Sequence, residues 1–401
     1  MAKRHAVVVG AGIGGLTAAV ALDRRGWRVT VCERAPEPPV TGAGIGLAPN
    51  ALRALEAIGV DAAHAAGSAV AATMGVRRPD GRWLTRVGTD AMAARYGMAP
   101  IAVPRPALTA ALAAGLPPEA LRHGTAVTGV DEAEDADGVT VRTAAGPDLA
   151  ADLVVAADGI HSPLRRAHFP AHPGLHYTGE TAWRALVHAP ELRISAMSET
   201  WGRGERFGVT PLSDGRLYLY ATAVVPAGTR SADPRAELRR RFGAWHDPIP
   251  ALLDRVGRLD ADDVLQNDLY DLAAPLPRLH HGRTAWLGDA AHAMAPNLGQ
   301  GGCQAIEDAV ILAHLLPAGD GDDGPHAVPA ALAAYTAARR DRTDAVRLRA
   351  RRVGRLGALR NPLAAAARDL AVRATPDRLS LRGMDDLFNG FRLPGQRPAR
   401  P

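Results

Sequence analysis

The chain has 401 residues, of which 47% are apolar and 22% charged, a composition that indicates an ordinary globular protein of roughly two or three domains. Collagen, disordered tails and disulfide scaffolds are excluded by it. The net charge is only +5, and Lys3 is the single lysine, so arginine supplies nearly all of the positive charge. Because the arginines are mostly scattered and not interleaved with aromatic residues, a nucleic-acid partner is not expected.

The two cysteines, Cys32 and Cys303, are too few for a framework of disulfides and form no C-x-x-C pair. They favour a reducing compartment and no structural metal, and we expect a cytoplasmic protein. The apolar run near the N-terminus contains four glycines between residues 10 and 15, which is unlike the helical core of a signal peptide. No apolar stretch of about 18 residues occurs, so we expect no transmembrane helix and no membrane partner.

The first elements in chain order are a strand, a glycine-rich turn and a helix. Residues 5–9 (HAVVV) predict the strand, residues 10–15 (GAGIGG) the turn, and residues 16–25 (LTAAVALDRR) the helix. A second strand at 28–32 (RVTVC) ends in Glu33. This order and spacing are typical of a βαβ unit that binds a dinucleotide.

Each glycine of the turn has a physical task in such a unit. Gly10 permits the tight turn, Gly12 lets the backbone approach a pyrophosphate, and Gly15 lets the helix pack closely on the strand. Glu33 accepts hydrogen bonds from ribose hydroxyls, which favours FAD or NAD over NADP. In a chain with 42 glycines a lone G-x-G-x-x-G is usually a flexible loop, but the flanking strand, helix and acid favour binding.

Later elements indicate a discontinuous nucleotide domain. Residues 42–60 predict a second glycine-rich turn and a helix, and residues 152–159 (DLVVAADG) a buried strand that ends in an acid. Between about 174 and 275 the pattern changes to short alternating strands, which favours a mainly antiparallel sheet. The strand at 283–289 (RTAWLGD) then returns to the first pattern and leads into a helix.

The C-terminal part of the chain is predicted to be mainly helical to about residue 373, after a polar loop at 317–329. Its helix around 335–356 carries eight arginines, which indicate either a solvated helix face or a surface for a membrane or an anion. The solvated face is the interpretation that we favour. The last ten or so residues predict a frayed tail.

Four motifs resemble those of the FAD-dependent aromatic monooxygenases of the para-hydroxybenzoate hydroxylase-like group, the group A flavoprotein monooxygenases. They are GAGIGG at 10–15 followed by Glu33 and Arg34, VPRPAL at 103–108, DLVVAADG at 152–159, and GDAAHAMAPNLGQGG at 288–302. The resemblance runs from residue 6 to about 315, and the last motif is the most specific of the four. It implies FAD as the resident cofactor and NAD(P)H as a transient co-substrate.

The predicted FAD site combines these motifs. Asp289 is placed to accept hydrogen bonds from the ribityl hydroxyls, and residues 296–302 present backbone N–H groups at a helix N-terminus, where negative charge on reduced flavin is stabilised. Asp158 resembles the family's acid near the pyrophosphate, with a strand-end cap as the alternative. The predicted cofactor-binding residues are Gly10, Gly12, Gly14, Gly15, Glu33, Arg34, Gly46, Arg105, Asp158, Gly288, Asp289, Pro296, Gly299, Gly301 and Gly302.

The fold class that follows is α/β, with a Rossmann-type FAD-binding domain, an inserted and mainly antiparallel β-sheet substrate domain, and a C-terminal helical segment. We predict that the FAD-binding domain comprises residues 1–173 and 276–316, and that about 70–100 contribute to the substrate domain. The substrate domain itself is predicted at 174–275 and the C-terminal helices at 329–375.

The resemblance implies that NAD(P)H reduces FAD, that O₂ forms a flavin C4a-hydroperoxide, and that a small or medium aromatic or heteroaromatic substrate is hydroxylated. A second Rossmann unit dedicated to NAD(P)H is not apparent. Cys303 stands where many relatives have asparagine, and the G-G-C sequence leaves an alkene epoxidase as an alternative activity. An alternative that is not an enzyme is a flavin- or nucleotide-binding protein without turnover. A monomer or a homodimer is expected.

Three residues are predicted to act on the substrate. Arg206 and Tyr218 flank the turn at 213–215, so adjacent antiparallel strands bring both to one face, and a urate-hydroxylating relative resembles this arrangement. Asn297 lies in the turn that is expected to face the flavin. The structural alternatives are a surface charge for Arg206, a core aromatic for Tyr218 and a turn former for Asn297.

Overall fold

The structure, a computed structural model, describes residues 3–38, 44–62, 71–132, 138–321, 323–324 and 326–395. Residues 42 and 43 of the second predicted glycine-rich turn and residues 396–401 of the predicted tail lie outside the described residues.

The strands are, in chain order, β1 (His5–Val9), β2 (Arg28–Cys32), β3 (Gly44–Leu47), β4 (Thr73–Arg77), β5 (Trp83–Gly88), β6 (Ile101–Pro104), β7 (Leu121–Arg122), β8 (Val127–Asp131), β9 (Val139–Thr143), β10 (Leu149–Ala151), β11 (Leu153–Ala156), β12 (Leu175–His188), β13 (Ala196–Trp201), β14 (Glu205–Pro211), β15 (Arg216–Val224), β16 (Leu265–Leu272), β17 (His280–His281) and β18 (Thr284–Trp286).

The helices are, in chain order, α1 (Ile13–Asp23), α2 (Pro49–Ala57), α3 (Thr89–Tyr96), α4 (Arg105–Ala113), α5 (Pro163–His168), α6 (Pro234–Phe242), α7 (Ile249–Val256), α8 (Asp289–His292), α9 (Gly301–Leu315), α10 (Ala327–Gly357), α11 (Pro362–Ala374), α12 (Asp377–Arg382) and α13 (Asp385–Phe388).

A six-stranded sheet of order β17-β18-β11-β1-β2-β7 forms the predicted nucleotide-binding part, and its pairings are parallel except for the edge strand β17. Its central strands are continuous apolar runs because a parallel sheet is covered on both faces. All five residues of β1 are buried. The large apolar core surrounds this sheet and includes residues of α1 and α9.

A seven-stranded sheet of order β16-β12-β15-β14-β13-β4-β5 forms the second layer, and its pairings are antiparallel except for the parallel pair β13 and β4. Alternate residues of each strand face opposite sides, so the sheet has two different faces. One face packs against α6 and α7 through an apolar cluster that includes Trp183 and Phe207. The other face carries polar residues of β14 and β15. The predicted α/β fold with a mainly antiparallel second sheet and a helical C-terminal segment is confirmed.

The Arg-rich helix, α10, is 31 residues long, and only some of its arginines lie on the solvated face that we favoured from the sequence, among them the exposed Arg352 and Arg355. Arg339 is fully buried and Arg347 is 3% exposed. Arg347 donates to the Leu272 carbonyl and pairs with Asp344. That interpretation is therefore wrong for these two arginines, because Glu307 and Asp308 of another helix enclose Arg339, and the Leu272 carbonyl with Asp344 of the same helix encloses Arg347.

A buried ion-pair network joins α10 to α9. The Arg339 guanidinium lies 2.5 Å from Glu307 and 2.6 Å from Asp308, and all three side chains have no exposed area. Arg342 also donates to Glu307 through Nε and Nη2, each at 2.8 Å. Burial opposes ionisation, yet Arg339 and Arg342 hold the pKa of Glu307 below its usual range, and His292 and Arg339 hold the pKa of Asp308 far below.

No helix in the described ranges has the length and apolar character that a bilayer span requires. Within the same ranges, no group of three His, Cys, Asp or Glu side chains is arranged to hold a metal ion.

We expect Arg339→Met to lower the free energy of unfolding by about 3–5 kcal/mol, because the substitution leaves two buried carboxylates without their central cation. The measurement is denaturant unfolding of the FAD-free protein. The control is Arg352→Met, an exposed arginine of the same helix, which we expect to change the free energy by no more than about 0.5 kcal/mol. Equal effects of the two substitutions would show that the network contributes no more than a surface charge.

The same network predicts a dependence of stability on acid. The folded-state pKa values of Glu307 and Asp308 lie below their usual values, so the stabilisation is complete above an unfolded-state pKa of about 4 and is lost as the pH falls toward the folded-state values. The difference in stability between the wild type and Arg339→Met is expected to narrow as the pH is lowered below about 4. A difference that stays constant down to pH 2 would contradict this assignment.

Candidate cofactor and active site

The turn between β1 and α1 combines two tightly packed glycines with one open glycine. A Cβ at Gly10, whose φ is +104°, would lie 2.5 Å from the Ala157 oxygen, and a Cβ at Gly15 would lie 2.0 Å from the Gly10 oxygen. A Cβ at Gly12 would meet no described atom within 4 Å. Gly12 is also the N-cap of α1 and provides no side-chain cap, so the first N–H groups of this helix border open space.

Glu33 lies at the end of β2, next to this turn. Its carboxylate accepts hydrogen bonds from the backbone N–H of Ala11 at 2.8 Å and of Ala35 at 2.9 Å. Arg34 follows it and is exposed. The placement of Glu33 beside the turn agrees with the position of a ribose in a dinucleotide site.

Asp158 follows β11 at the same edge of the parallel sheet. Its Oδ1 is buried and has no hydrogen-bond partner within the described part of the chain, while Oδ2 accepts from the Leu164 N–H at 3.4 Å. Burial raises the pKa of this carboxyl. A Cβ at Gly159 would meet none of the described atoms within 4 Å, so the backbone after Asp158 also borders open space in the described part of the chain.

Arg165 is a residue of this site that the sequence analysis did not find. Its buried guanidinium donates to the carbonyls of Asp289 at 3.3 Å, Ala290 at 3.0 Å and Ile160 at 2.6 Å. It therefore connects the loop after Asp158 to the loop of Asp289. The sequence carries no clear signal for this role, because an arginine that is followed by Arg166 in a short helix is typical of a surface.

Asp289 begins α8 after Gly288, whose φ is +58°. Its side chain is exposed, and a Cβ at Gly301 would lie 3.9 Å from its Oδ1. Asp289 therefore lies beside the N-terminus of α9, a helix of 15 residues with no side-chain cap and no acid in its first turn. The positive end of the helix dipole is free to stabilise negative charge there.

Several glycines and one proline lie around the start of α9 and among the predicted cofactor residues. Pro296 and Gly299 are exposed, and a Cβ at Gly299 or at Gly46 would meet no atom of the described residues within 4 Å. A Cβ at Gly302 would contact Ile45 at 2.8 Å, and one at Gly14 would contact Leu287 at 2.7 Å. These two glycines thus allow close packing, whereas Gly46 and Gly299 border open space.

Cys303 holds β3 against the start of α9. Its thiol lies 3.7 Å from the Gly46 carbonyl and 3.5 Å from the Gly299 carbonyl, and it has no exposed area. Burial raises the pKa of this thiol to about 12. The group is therefore a neutral thiol at physiological pH, and it is not a nucleophile.

Arg105 is the first residue of α4, directly after β6, which pairs with β3. Its side chain is exposed and lies within electrostatic range of both Asp289 and Tyr218. The predicted cofactor residues thus lie at the carboxyl edge of the parallel sheet, from Gly12 and Glu33 to Asp289 and the N-terminus of α9, with open space at several of the glycines. Carboxylates that accept from sugar hydroxyls, and free N–H groups at two helix starts, fit an extended dinucleotide.

Tyr218 lies where the polar face of the second sheet meets β3. A Cβ at Gly44 would lie 2.8 Å from the Tyr218 Cβ. Burial raises the pKa of the Tyr218 phenol, and the neighbouring guanidinium groups of Arg184 and Arg105 oppose that shift. The structure therefore brings a phenol and two arginines together at the edge of the predicted cofactor region.

Arg206 lies on the same face of the sheet as Tyr218, but its cross-strand partner is Thr222, whereas Tyr218 is opposite Thr210. Its guanidinium is 3% exposed. It forms a bidentate ion pair with Glu180 at 2.8 and 2.9 Å and contacts Glu199 at 3.2 Å. Arg206 is thus enclosed by carboxylates and not open to the cofactor region, which differs from the exposed cation that its position in the hairpin suggests.

Asn297 is in the 3₁₀ turn Pro296–Leu298, and its amide donates to the Ala350 carbonyl of α10 at 3.0 Å. Its Oδ1 is buried without a hydrogen-bond partner among the residues described. The side chain is therefore directed toward α10, and the backbone of the turn is the part that borders the open region.

Known proteins match this chain over most of its length. The FAD binding domain family model matches residues 3–350. Aurachin C monooxygenase/isomerase of Stigmatella aurantiaca is 37% identical and covers 94% of this chain and 96% of that protein. FAD-dependent urate hydroxylase of Klebsiella pneumoniae is 34% identical over 86% and 88%. The 2-heptyl-3-hydroxy-4(1H)-quinolone synthase of Pseudomonas aeruginosa is 33% identical over 96% and 97%.

Solved structures agree with these sequence matches. HpxO of Klebsiella pneumoniae, complexed with FAD and uric acid, has a TM-score of 0.87 and 32% identity and covers 97% of both chains. A salicylate hydroxylase substrate complex has a TM-score of 0.78 at 24% identity, over 96% of this chain and 95% of that chain, and shows the fold alone. FAD is therefore the cofactor, as predicted from the motifs.

We expect Gly12→Val to fold normally and to lose bound FAD. A valine is accepted at the Gly12 φ of −72° and meets no described atom, but its side chain occupies the space that the pyrophosphate needs. FAD content by absorbance, together with a thermal unfolding midpoint of the FAD-free protein, checks both parts.

The matched control is Gly88→Val. Gly88 is also a helix N-cap with an extended backbone and open space at its Cβ, but it ends the edge strand β5 of the other sheet. This variant is expected to keep its FAD. Equal FAD contents in the two variants would place the pyrophosphate away from Gly12.

Proposed function

This chain belongs to the FAD-binding domain family, as a FAD-dependent aromatic monooxygenase, and on that premise we propose that it uses NAD(P)H and O₂ to hydroxylate a heteroaromatic ring that bears a carbonyl or an ionisable oxygen. The observation that carries the proposal is the position of Tyr218. Its side chain packs against Gly44 of β3, the same strand whose Gly46 borders the cofactor region. The polar face of the second sheet thus meets the place where a flavin ring is expected.

The overall reaction consumes one NAD(P)H, one O₂ and one proton, and yields hydroxylated product, NAD(P)⁺ and water. Bound FAD supplies the redox chemistry, by accepting a hydride equivalent and activating O₂ so that one oxygen atom enters the substrate ring. Glu33 and the α1 N-terminus are proposed to hold its adenosine and pyrophosphate, and Asp289 its ribityl chain. The free N-terminus of α9 is proposed to stabilise negative charge on the reduced cofactor.

Arg105, Arg184 and Tyr218 are proposed to orient the substrate. Two guanidinium groups near one phenol suit a planar ring with electron-rich oxygen atoms, because arginine both donates hydrogen bonds and stacks on ring faces. The names of the urate hydroxylase and quinolone synthase relatives refer to rings of this kind. The choice between NADH and NADPH is not part of the proposal.

Arg206 and Asn297 are proposed as positioning residues. Arg206 pairs with Glu180 of β12 and Glu199 of β13, so it fixes strands on both sides of Tyr218. Asn297 attaches the turn before α9 to α10. Both act by holding the substrate ring and the cofactor in one relative orientation, which oxygen transfer requires.

Ring hydroxylation is preferred over epoxidation. Cys303, the residue that leaves epoxidation open in the sequence, is enclosed between backbone carbonyls of β3 and of the turn before α9. It presents no group to a substrate.

We expect Tyr218→Phe and Arg206→Gln to retain FAD but to convert NAD(P)H oxidation from hydroxylation to hydrogen peroxide release. The physical reason is that a misaligned ring does not capture the activated oxygen. The measurements are NAD(P)H consumed, product formed and peroxide released, with urate, 4-quinolones and hydroxybenzoates as candidate substrates.

The control for these variants is Tyr270→Phe, which removes a phenol from the edge strand β16 of the same sheet, two strands away from the β15 that carries Tyr218. Its coupling is expected to equal that of the wild type. The assignment of Tyr218 and Arg206 fails if both variants hydroxylate with wild-type coupling and Michaelis constant. Hydroxybenzoates are the carbocyclic comparison. If neither urate nor any 4-quinolone stimulates NAD(P)H oxidation by the FAD-loaded wild type, or if only hydroxybenzoates do, the proposed substrate class is wrong.

A further inference from the structure

An apolar stripe on α11 faces outward. Leu363 is 80% exposed and Leu370 is 70% exposed, and they are seven residues apart, so they lie on one helix face. The exposed residues between them are Ala366 and Ala367, and Ala371 and Ala374 are exposed after Leu370, together with the basic Arg373. The described residues include five exposed large apolar side chains, and four of them lie between residues 356 and 379. These four are Leu356, Leu363, Leu370 and Leu379.

The buried face of α11 fixes the direction of this stripe. Arg368 is 6% exposed, pairs with Asp369 at 2.7 Å, and donates to the carbonyls of Gly202 and Leu356. A rotation of α11 that buried Leu363 and Leu370 would remove Arg368 from these acceptors and leave a guanidinium unpaired. The outward position of the leucines is therefore a consequence of packing on the opposite face.

Exposed arginines lie on the same helix as the apolar stripe and on the helices before and after it in the chain. Between residues 349 and 382 the single exposed acid is Asp377, whereas the exposed basic residues are Arg352, Arg355, Arg360, Arg373, Arg378 and Arg382. The structure has no ion pair for the first five of them within its described ranges. We call the region formed by Leu356, Leu363, Leu370 and Leu379 with these arginines the C-terminal surface.

The C-terminal surface adjoins the substrate sheet. A Cβ at Gly357 would lie 2.8 Å from the Arg206 Cδ, and one at Gly204 would lie 2.7 Å from the Arg360 Cγ. The surface is thus continuous with the part of the fold that is proposed to orient the substrate, and it is not a detached tail.

We propose that the C-terminal surface docks the protein peripherally on a lipid bilayer that carries anionic headgroups. Leucines and alanines enter the boundary between headgroups and acyl chains, and the flanking arginines pair with the lipid phosphates. This role differs from the sequence-based expectation of no membrane partner, and it requires no spanning helix. The proposal does not depend on the substrate class.

The positive charge of the C-terminal surface favours an anionic bilayer over a second copy of this chain as its binding partner. Two copies that met through this surface would bring like-charged arginine sets together with one exposed acid to offset them, whereas anionic lipid neutralises the arginines. An exposed apolar stripe with a basic rim is also the composition expected of an interfacial helix.

The experiment is flotation of the FAD-loaded full chain with vesicles of phosphatidylcholine alone and of phosphatidylcholine mixed with phosphatidylglycerol. The wild type is expected to float with the anionic vesicles and to stay in solution with the neutral ones, and added salt is expected to weaken binding. Leu363→Glu with Leu370→Glu, and separately Arg373→Glu with Arg378→Glu, are each expected to lower binding roughly tenfold or more.

The matched control is Leu265→Glu, since Leu265 is 41% exposed on β16, outside the C-terminal surface. It is expected to bind like the wild type, and equal FAD contents of all variants show that they are folded. Absence of wild-type binding to anionic vesicles overturns the proposal, as does wild-type binding by both double variants. A dimer that the leucine variants dissociate, without any vesicle binding, would assign the surface to a second copy instead.

Discussion

The buried pairing of Arg339 with Glu307 and Asp308 is the interaction on which the geometry of the cofactor site depends. Asp308 accepts the Gly288 N–H at 3.0 Å and contacts His292 at 2.5 Å while it pairs with Arg339. One carboxylate therefore holds both ends of the segment that contains Asp289. A carboxylate with these partners cannot move without leaving a charge uncompensated in the core, which would cost several kcal/mol.

Glu307 extends the same constraint to the opposite wall of the site. It accepts from Asn50 of α2 at 2.6 Å as well as from Arg339 and Arg342. Asn50 also donates to Gln300, the N-cap residue of α9. One set of charged and amide groups thus joins α10 to the start of α9 and to α2, the helix that follows β3. This explains why α10, although it comes late in the chain, belongs structurally to the nucleotide-binding part.

The polar face of the second sheet is also held together by buried charged groups. Tyr220 lies across Gly208, where a Cβ would be 2.0 Å from its ring, and its hydroxyl donates to Glu199 at 3.1 Å. Glu199 in turn contacts Arg206, which is paired with Glu180. Buried charges of this kind contribute little net stability, but they accept few alternative arrangements. On the same face, Tyr218 packs against Gly44 of β3, with Arg184 and Arg105 near it.

The sequence by itself determined the parts of this protein that depend on neighbours a few residues away. The βαβ unit, the alternation of the second sheet and the need for glycine at Gly10 and Gly15 follow from local periodicity and from the space around a backbone, and the motifs identified the cofactor. Only the tertiary structure decided that Arg206 is enclosed by Glu180 and Glu199, that Arg339 is buried, and that Leu363 and Leu370 face outward. The physical reason is that ion pairing and exposure are set by residues distant in the chain, which periodicity does not report.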